Sequence, residues 1–237
     1  MAGVLYMIPC PIWEQGSVAD VTPVANMQVI NSLDYFIVEN VRSARRFLSK
    51  AGVERAIDEL EFVELNEHTV HQADVERMLK PIIAGRSAGV ISEAGVPGVA
   101  DPGAAIVSLA HKHGIRVVPL VGPSSILLAM MASGQNGQSF AFVGYLPVKE
   151  PDRTRSIRNL ERRAMQEHQA QLFIEAPYRN RKLFETLLHT LSPKTKLTVA
   201  TDITSPEESI LTLAVEEWQR RGVPSFDKRP TIFILGI

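Results

Sequence analysis

The chain has 237 residues, enough for one large domain or two small ones. Hydrophobic residues make up 45% and charged residues 22%, which excludes a disordered, fibrous or disulfide-dense chain. The net charge of −1 and the pI near 6.6 leave no global basic field, so any contact with nucleic acid must be local.

A single cysteine, Cys10, excludes an internal disulfide and a thiolate metal cluster and fits a reducing, cytoplasmic setting. The apolar start MAGVLYMIPCPIWEQG lacks a positive leading region and is broken by Pro9 and Pro11, so it reads as a first strand and not as a signal peptide. The longest unbroken apolar run, Ile126 to Ala132, is too short for a bilayer, and no membrane span is expected.

Apolar runs alternate with helix-patterned segments from end to end. Strands are expected at Val4–Ile8, Tyr35–Val38, Gly89–Ser92, Val117–Val121 and Phe140–Gly144. Further strands are expected at Leu172–Glu175, Leu197–Ala200, Ile210–Leu213 and Thr231–Leu235. The early runs are short and almost continuously hydrophobic, as in strands covered on both faces. Helices are expected at Val24–Leu33, after Thr22 as N-cap and Pro23 at N1, and at Pro102–His113, with Asp101 as N-cap and Gly114 at C′. Ser124–Ala132 is apolar on all sides and is expected to be buried. Arg153–His168 places Ile157, Leu160 and Ala164 on one face, and Pro177–Leu191 does the same with Leu183, Phe184 and Leu187. The alternation argues an α/β fold of two domains, 1–121 with a mostly parallel sheet and 122–237 with a mixed sheet, joined near Pro119-Leu120-Val121-Gly122-Pro123.

The densest punctuation is ISEAGVPGVADPG, Ile91 to Gly103. Gly95 and Gly98 permit positive φ and close approach of a ligand. Pro97 and Pro102 remove N–H donors, no lysine is present, and Glu93 and Asp101 stand in the loop. A phosphate cradle needs the reverse, and the dinucleotide and triphosphate fingerprints are not matched. A neutral or cationic ligand suits the stretch better, with Gly95 to Val99 facing it at a strand's carboxyl end. Asp101 is read as a helix cap. Gly122-Pro123-Ser124-Ser125 precedes the apolar helix, where a serine cap and a ligand contact are compatible.

At these motifs the sequence resembles the tetrapyrrole-methylase-like (class III) S-adenosylmethionine methyltransferases. Within them it is most similar to the subfamily that methylates a ribose 2′-oxygen of small-subunit rRNA at a cytidine. The family run S-D-A-G-T-P-G-I-S-D-P-G corresponds to Ser92 to Gly103, P-x-P-I to Pro9-Cys10-Pro11-Ile12, and P-G-P-S to Val121-Gly122-Pro123-Ser124. E-D-T-R corresponds in part to Glu39-Asn40-Val41-Arg42, and Y-E-S-P-H-R to Ile174-Glu175-Ala176-Pro177-Tyr178-Arg179. The resemblance implies two α/β domains of the tetrapyrrole methylase type with a cofactor cleft between them. It implies S-adenosylmethionine contacts from Pro11, Ala94, Gly95, Val96, Val99, Ser124, Ser125, Glu175 and Pro230, and a homodimer. It implies rRNA or the small ribosomal subunit as partner.

The departures lie on the substrate side. Trp13-Glu14 replaces the family's G-N, and Thr201 to Glu208 lacks the arginine, lysine and histidine of R-E-L-T-K-x-H-E. The chain ends at Ile237, before the C-terminal helical module of longer members. Three readings follow: an RNA methyltransferase, a methyltransferase with a small-molecule or other acceptor, and a non-catalytic S-adenosylmethionine-binding protein.

A hydroxyl acceptor needs a base. The carboxylates beside the cofactor loops are Glu93, Glu39 and Glu67, with Glu93 the first choice because it sits at the strand end. For Glu39 and Glu67 a solvated or capping role is at least as good a reading. Arg42, Arg45 and Arg46 form one basic cluster, and Arg153, Arg155, Arg158, Arg162 and Arg163 another, which reads as a solvated helix face or as a phosphate-tracking stripe. Trp13 either stacks on a flat substrate or packs the first loop. Cys10 reads as a packed small side chain. His68-Thr69-Val70-His71 and His111-Lys112-His113 lack further ligands at metal spacing, so no metal is expected, and His113 ends a helix near its negative end.

Overall fold

The computed structural model describes residues 2–66, 69 and 71–237; Glu67, weighed above as a carboxylate, and His68 and Val70 lie outside the described residues. The chain divides into two compact units, Met1–Ser124 and Ser125–Ile237.

The first unit runs β1 (Val4–Ile8), α1 (Val24–Asn31), β2 (Tyr35–Val38), α2 (Val41–Ala51) and β3 (Glu61–Glu64). It continues with α3 (Gln72–Ile83), β4 (Ala88–Ile91), α4 (Gly103–Lys112) and β5 (Arg116–Pro119). The strands pair in the order β3-β2-β4-β1-β5, every pair parallel, with Leu5 opposite both Ala88 and Val117. Parallel strands joined by helical crossovers bury both faces, which explains the unbroken apolar runs. Tyr35 and Ile37 point to the core shared with Leu79, Ile82 and Ile106, while Phe36 and Val38 point to the core shared with Ile30, Phe47 and Leu48. All strands therefore deliver their carboxyl ends to one edge of the sheet, where open α/β sheets bind ligands.

The second unit holds α5 (Ser125–Ser133), β6 (Phe140–Tyr145), α6 (Asp152–Glu167), β7 (Ala170–Ile174) and α7 (Asn180–Thr190). It continues with β8 (Lys196–Thr201), β9 (Ser209–Ala214), α8 (Val215–Arg221) and β10 (Thr231–Gly236). Its order is β6-β7-β10-β8-β9, with β6-β7 parallel and the other pairs antiparallel, so the expected mixed sheet is present. Phe173, Phe233 and Leu197 face Ile157, Leu183, Phe184 and Trp218 on one side, and Leu172, Ile234 and Ala200 face Ala129 and Met130 on the other.

Several expectations are corrected. Helices α2, α3 and α8 and strand β3 were absent from the pattern. In α2 the charges conceal a narrow apolar stripe of Ala44, Phe47 and Leu48; Asn40 caps its start by accepting from Ser43 N, and Gly52 at φ 72 ends it. Helix α5 is not buried on all sides: Ala129 and Met130 pack on the sheet, while Leu127 and Met131 are 53% and 79% exposed. Pro23, not Thr22, takes the N-cap position of α1, without a side-chain cap. Pro102 takes that position in α4, one residue after Asp101. Arg153 leaves the expected basic face altogether: it is 1% exposed, donates from Nε to Pro147 O at 2.9 Å, and pairs with Glu175 at 3.4 Å.

Candidate active site

The carboxyl ends of β1, β2 and β4 bring three loops together. Beyond β1, Cys10 exchanges two backbone hydrogen bonds with Gly95 beyond β4, Cys10 N to Gly95 O at 2.8 Å and Gly95 N to Cys10 O at 3.2 Å. This bridge fixes Pro9-Cys10-Pro11 against the glycine loop. Gly95 has φ 69 and Gly98 φ 83, left-handed values that the turn requires and that glycine adopts freely. The Asp101 carboxylate closes the turn, accepting from Gly98 N at 2.8 Å and from Gly103 N at 2.7 Å. Asp101 thus fastens the loop as well as the helix start.

With Gly95 N and Gly98 N occupied in this way, the N–H groups of Ala94, Val96 and Val99 have no partner among the described residues of the unit. Ala94 and Val99 are exposed, and Val96 is half-buried. The loop's free main-chain donors therefore coincide with residues expected to touch the cofactor. Pro11, half-buried, adjoins them across the Cys10–Gly95 bridge, and Ser124 ends the unit. In the second unit Ser125 begins α5. Pro230 precedes β10 and its carbonyl accepts from Asp202 N at 2.9 Å. Glu175 follows β7 with its carboxylate already engaged by Arg153, by Arg179 at 2.6 Å and by Ala176 N at 2.8 Å.

The two carboxylates chosen from the sequence have unequal environments. Glu39 Oε2 accepts from Glu93 N at 3.0 Å, so Glu39 holds the strand end on which Glu93 stands. Burial raises the Glu39 pKa above the ordinary glutamate value, opposed by that hydrogen bond and reinforced by Asp101 and Glu93 nearby. Burial likewise raises Asp101, against the hydrogen bonds from Gly98 and Gly103. Glu93 is exposed; its Oε1 accepts from Ser43 Oγ at 3.2 Å and its Oε2 has no partner among the described residues.

Beside Glu93 opens a pocket of about 360 Å³, inside the usual range for small-ligand sites. The β1 loop, one face of α2 and Ser92 to Ala94 enclose it, with Ser43, Arg46, Phe47 and Lys50 on the α2 side. The expected arginine cluster is split around this helix. Arg45 turns to Asp58 and lies 5.8 Å from the Phe62 ring centroid, whereas Arg46 faces the pocket. Trp13 does not line the pocket; its ring lies over Gly16, and its neighbours Ile12 and Glu14 line the wall. The place of Ser43 and Lys50 on the pocket wall was missed because the helix carrying them was missed; a hydrophobic repeat at Ala44, Phe47 and Leu48 was the available signal. On α6, Arg155, Arg158 and Arg162 are exposed opposite Ile157, Leu160 and Ala164; Arg155 pairs with Asp152 and Arg162 donates to Asn159.

Cys10 is buried and its Sγ donates to Ser92 O at 3.5 Å; burial pushes the thiol up to about 12, so it stays protonated and inert. Among the described residues no three His, Cys, Asp or Glu side chains are grouped to hold a metal ion, and no helix is long and apolar enough to cross a membrane.

The family model for tetrapyrrole (corrin/porphyrin) methylases matches residues 15–219. A ribosomal RNA small subunit methyltransferase I of Xylella fastidiosa is 31% identical over 229 residues, covering 93% of this chain and 79% of that protein. The protein of the same name from Vibrio cholerae is 28% identical over 216 residues, covering 91% and 70%. Among solved structures, the methyltransferase CobJ has a TM-score of 0.64 at 17% identity, covering 99% of this chain and 94% of its own. Uroporphyrin-III C-methyltransferase from Thermus thermophilus, complexed with S-adenosyl homocysteine, has a TM-score of 0.57 at 16% identity, covering 99% and 97%. With the family model extending over most of the chain, and a relative above 30% identity matched over most of its length, the protein belongs to the tetrapyrrole (corrin/porphyrin) methylase family and is a methyltransferase.

Proposed function

We propose that the protein transfers a methyl group from S-adenosylmethionine to a ribose 2′-hydroxyl of small-subunit rRNA, acting as a cytoplasmic homodimer. The observation that carries this reading is the pinned glycine loop, with free N–H groups at Ala94, Val96 and Val99 beside an exposed carboxylate. The residues fit the cofactor. The glycine loop, Ile91 to Gly103, carries Glu93 and Asp101 and no lysine of its own, which suits a cationic sulfonium better than a phosphate.

When bound, S-adenosylmethionine supplies a methyl carbon on a cationic sulfur, and the electron pair of that bond stays with sulfur on transfer. Pro11, Ala94, Gly95, Val96, Val99 and Ser124 would hold it, and the family likeness assigns Ser125, Glu175 and Pro230 to the same ligand. Glu93 Oε2 takes the proton of the acceptor hydroxyl. Glu39 acts through Glu93, as a positioning residue on its backbone N–H. Ser43 orients the Glu93 carboxylate through Oε1.

Calorimetry with S-adenosylhomocysteine, followed by labelled methyl transfer into RNA, protein and metabolite fractions, tests the reading. Binding together with label in small-subunit rRNA supports it. Label in the metabolite or protein fraction alone moves the acceptor to another class, and binding without transfer to any fraction leaves only a binding protein. Glu93→Gln is expected to lower turnover about 10²- to 10⁴-fold with homocysteine-product affinity unchanged.

A further inference from the structure

We propose that Arg46 and Lys50 form a phosphate subsite of the acceptor, holding the phosphodiester next to the ribose whose hydroxyl faces Glu93. The inference rests on the RNA reading above and adds the residues that recognise the strand. The pocket beside Glu93 shares Pro11 and Ala94 with the expected cofactor set and extends from them to α2, so its far side is built by residues outside that set.

That far side is cationic for a reason the donor does not supply. Ser43, Arg46 and Lys50 lie three and four residues apart on α2 and line the same pocket. Ser43 touches Glu93, while Arg46 pairs with the Glu14 carboxylate and Lys50 Nζ donates to Glu14 O at 2.8 Å. Two cations of one wall thus converge on one residue of the β1 loop, and both their ligands are oxygens. Arg46 is 46% exposed and Glu14 71%, so the ion pair is weak and exchangeable. Phosphate oxygens satisfy the same donors, the guanidinium fork matching them in pairs and the ammonium acting as a point charge.

The spacing matches a nucleic-acid strand. Along α2, Arg46 stands about 4.5 Å and Lys50 about 10 Å beyond Ser43, from the helical rise. A ribose 2′-hydroxyl sits on the carbon next to the one bearing the 3′-phosphate. A hydroxyl held at Glu93 therefore brings its own phosphate within reach of Arg46 and leaves Lys50 for the next. Glu14 occupies the subsite in the absence of RNA and competes with it.

The test combines methyl transfer to unmethylated small-subunit rRNA with S-adenosylhomocysteine calorimetry for Arg46→Ala/Lys50→Ala, Arg46→Glu/Lys50→Glu and Glu14→Gln. The alanine pair is expected to raise KM for RNA at least tenfold with kcat within about twofold and homocysteine-product affinity unchanged. It is also expected to make the log–log salt dependence of RNA binding shallower by about 1.4. Glu14→Gln is expected to lower KM for RNA severalfold, which a purely structural loop contact would not do. Unchanged KM in both cation variants, with the wild type active on RNA, overturns the subsite alone. Loss of homocysteine-product affinity with KM for RNA unchanged assigns the pair to the cofactor's carboxylate and overturns it as well. A wild type that binds the product but labels no RNA overturns the RNA reading itself, and this proposal with it.

Discussion

Glu39 and Glu93 are joined through the main chain: Glu39 Oε2 accepts from Glu93 N at 3.0 Å, and Glu93 Oε1 in turn accepts from Ser43 Oγ at 3.2 Å. Neighbouring carboxylates would repel if both faced the same space, so this geometry separates their tasks. One anchors the strand end, and the other presents a free oxygen.

The Glu39→Gln variant tests that division. Burial raises the folded-state pKa of Glu39 above 4.5, its ordinary value. A raised acid pKa contributes stability that is complete below the unfolded value and is lost as pH rises through the folded value. The ionised form is therefore the costly one at neutral pH. Glutamine retains an oxygen for Glu93 N, so the variant is expected to match or exceed the wild-type melting temperature at pH 7, by up to about 2 °C. The advantage should disappear near pH 4. A melting temperature several degrees below wild type at pH 7 would contradict it. Turnover is expected to fall no more than about tenfold, against the larger loss in Glu93→Gln.

Gly95 and Gly122 are required for different reasons. A Cβ at Gly95 would meet Pro123 O at 3.4 Å and Ile12 Cγ1 at 3.9 Å, ordinary contacts, but its φ of 69 is costly for alanine. Gly95→Ala should destabilise by about 1–2 kcal/mol and weaken S-adenosylhomocysteine binding. At Gly122 the space is absent, since a Cβ would lie 2.2 Å from Pro9 Cβ. Gly122→Ala should displace the β1 loop and cost more than Gly95→Ala. Urea denaturation of the two variants gives the ranking.

Arg153 and Glu175 form an ion pair in which both side chains are 1% exposed. Removing one partner leaves a buried charge. Arg153→Ala is expected to destabilise by about 3 kcal/mol, toward the low end for such pairs because Arg179 still holds Glu175. Arg155→Ala, on the exposed turn of the same helix, should change stability by under about 0.5 kcal/mol. Equal denaturation midpoints for the two variants would show that burial does not distinguish them.

Cys10 should resist thiol reagents in the folded protein and react once on unfolding, because burial keeps it a protonated thiol with a pKa of about 12. Measuring modification across a urea titration makes Cys10 a reporter of the Cys10–Gly95 bridge. Reaction at the native rate of a free thiol would mean that the bridge opens readily.

Four strands of the parallel sheet were legible as apolar runs, most plainly Tyr35-Phe36-Ile37-Val38, which is buried along its whole length, whereas β3 was not, because Glu61 and Glu64 are exposed and flank only Phe62 and Val63. The glycine loop was legible because Gly95, Pro97, Gly98, Asp101 and Pro102 encode a turn chemistry that few other arrangements use. Helix α2 was not: only Ala44, Phe47 and Leu48 meet the core, and Arg42, Arg45, Arg46 and Lys50 dominate its composition. Arg153 was misplaced for the converse reason, since a charge in a basic helix gives no local sign that a buried carboxylate awaits it.

By itself the sequence determined the α/β alternation and the tightly turned glycine loop with its two carboxylates and no lysine, since these follow from residue types within a few positions of one another. Only the tertiary structure decided which carboxylate is free, which arginine is buried and which helix walls the pocket. Those outcomes depend on contacts such as Glu39–Glu93, Ser43–Glu93 and Arg153–Glu175, whose partners stand 54, 50 and 22 residues apart and meet only when the sheets and helices pack.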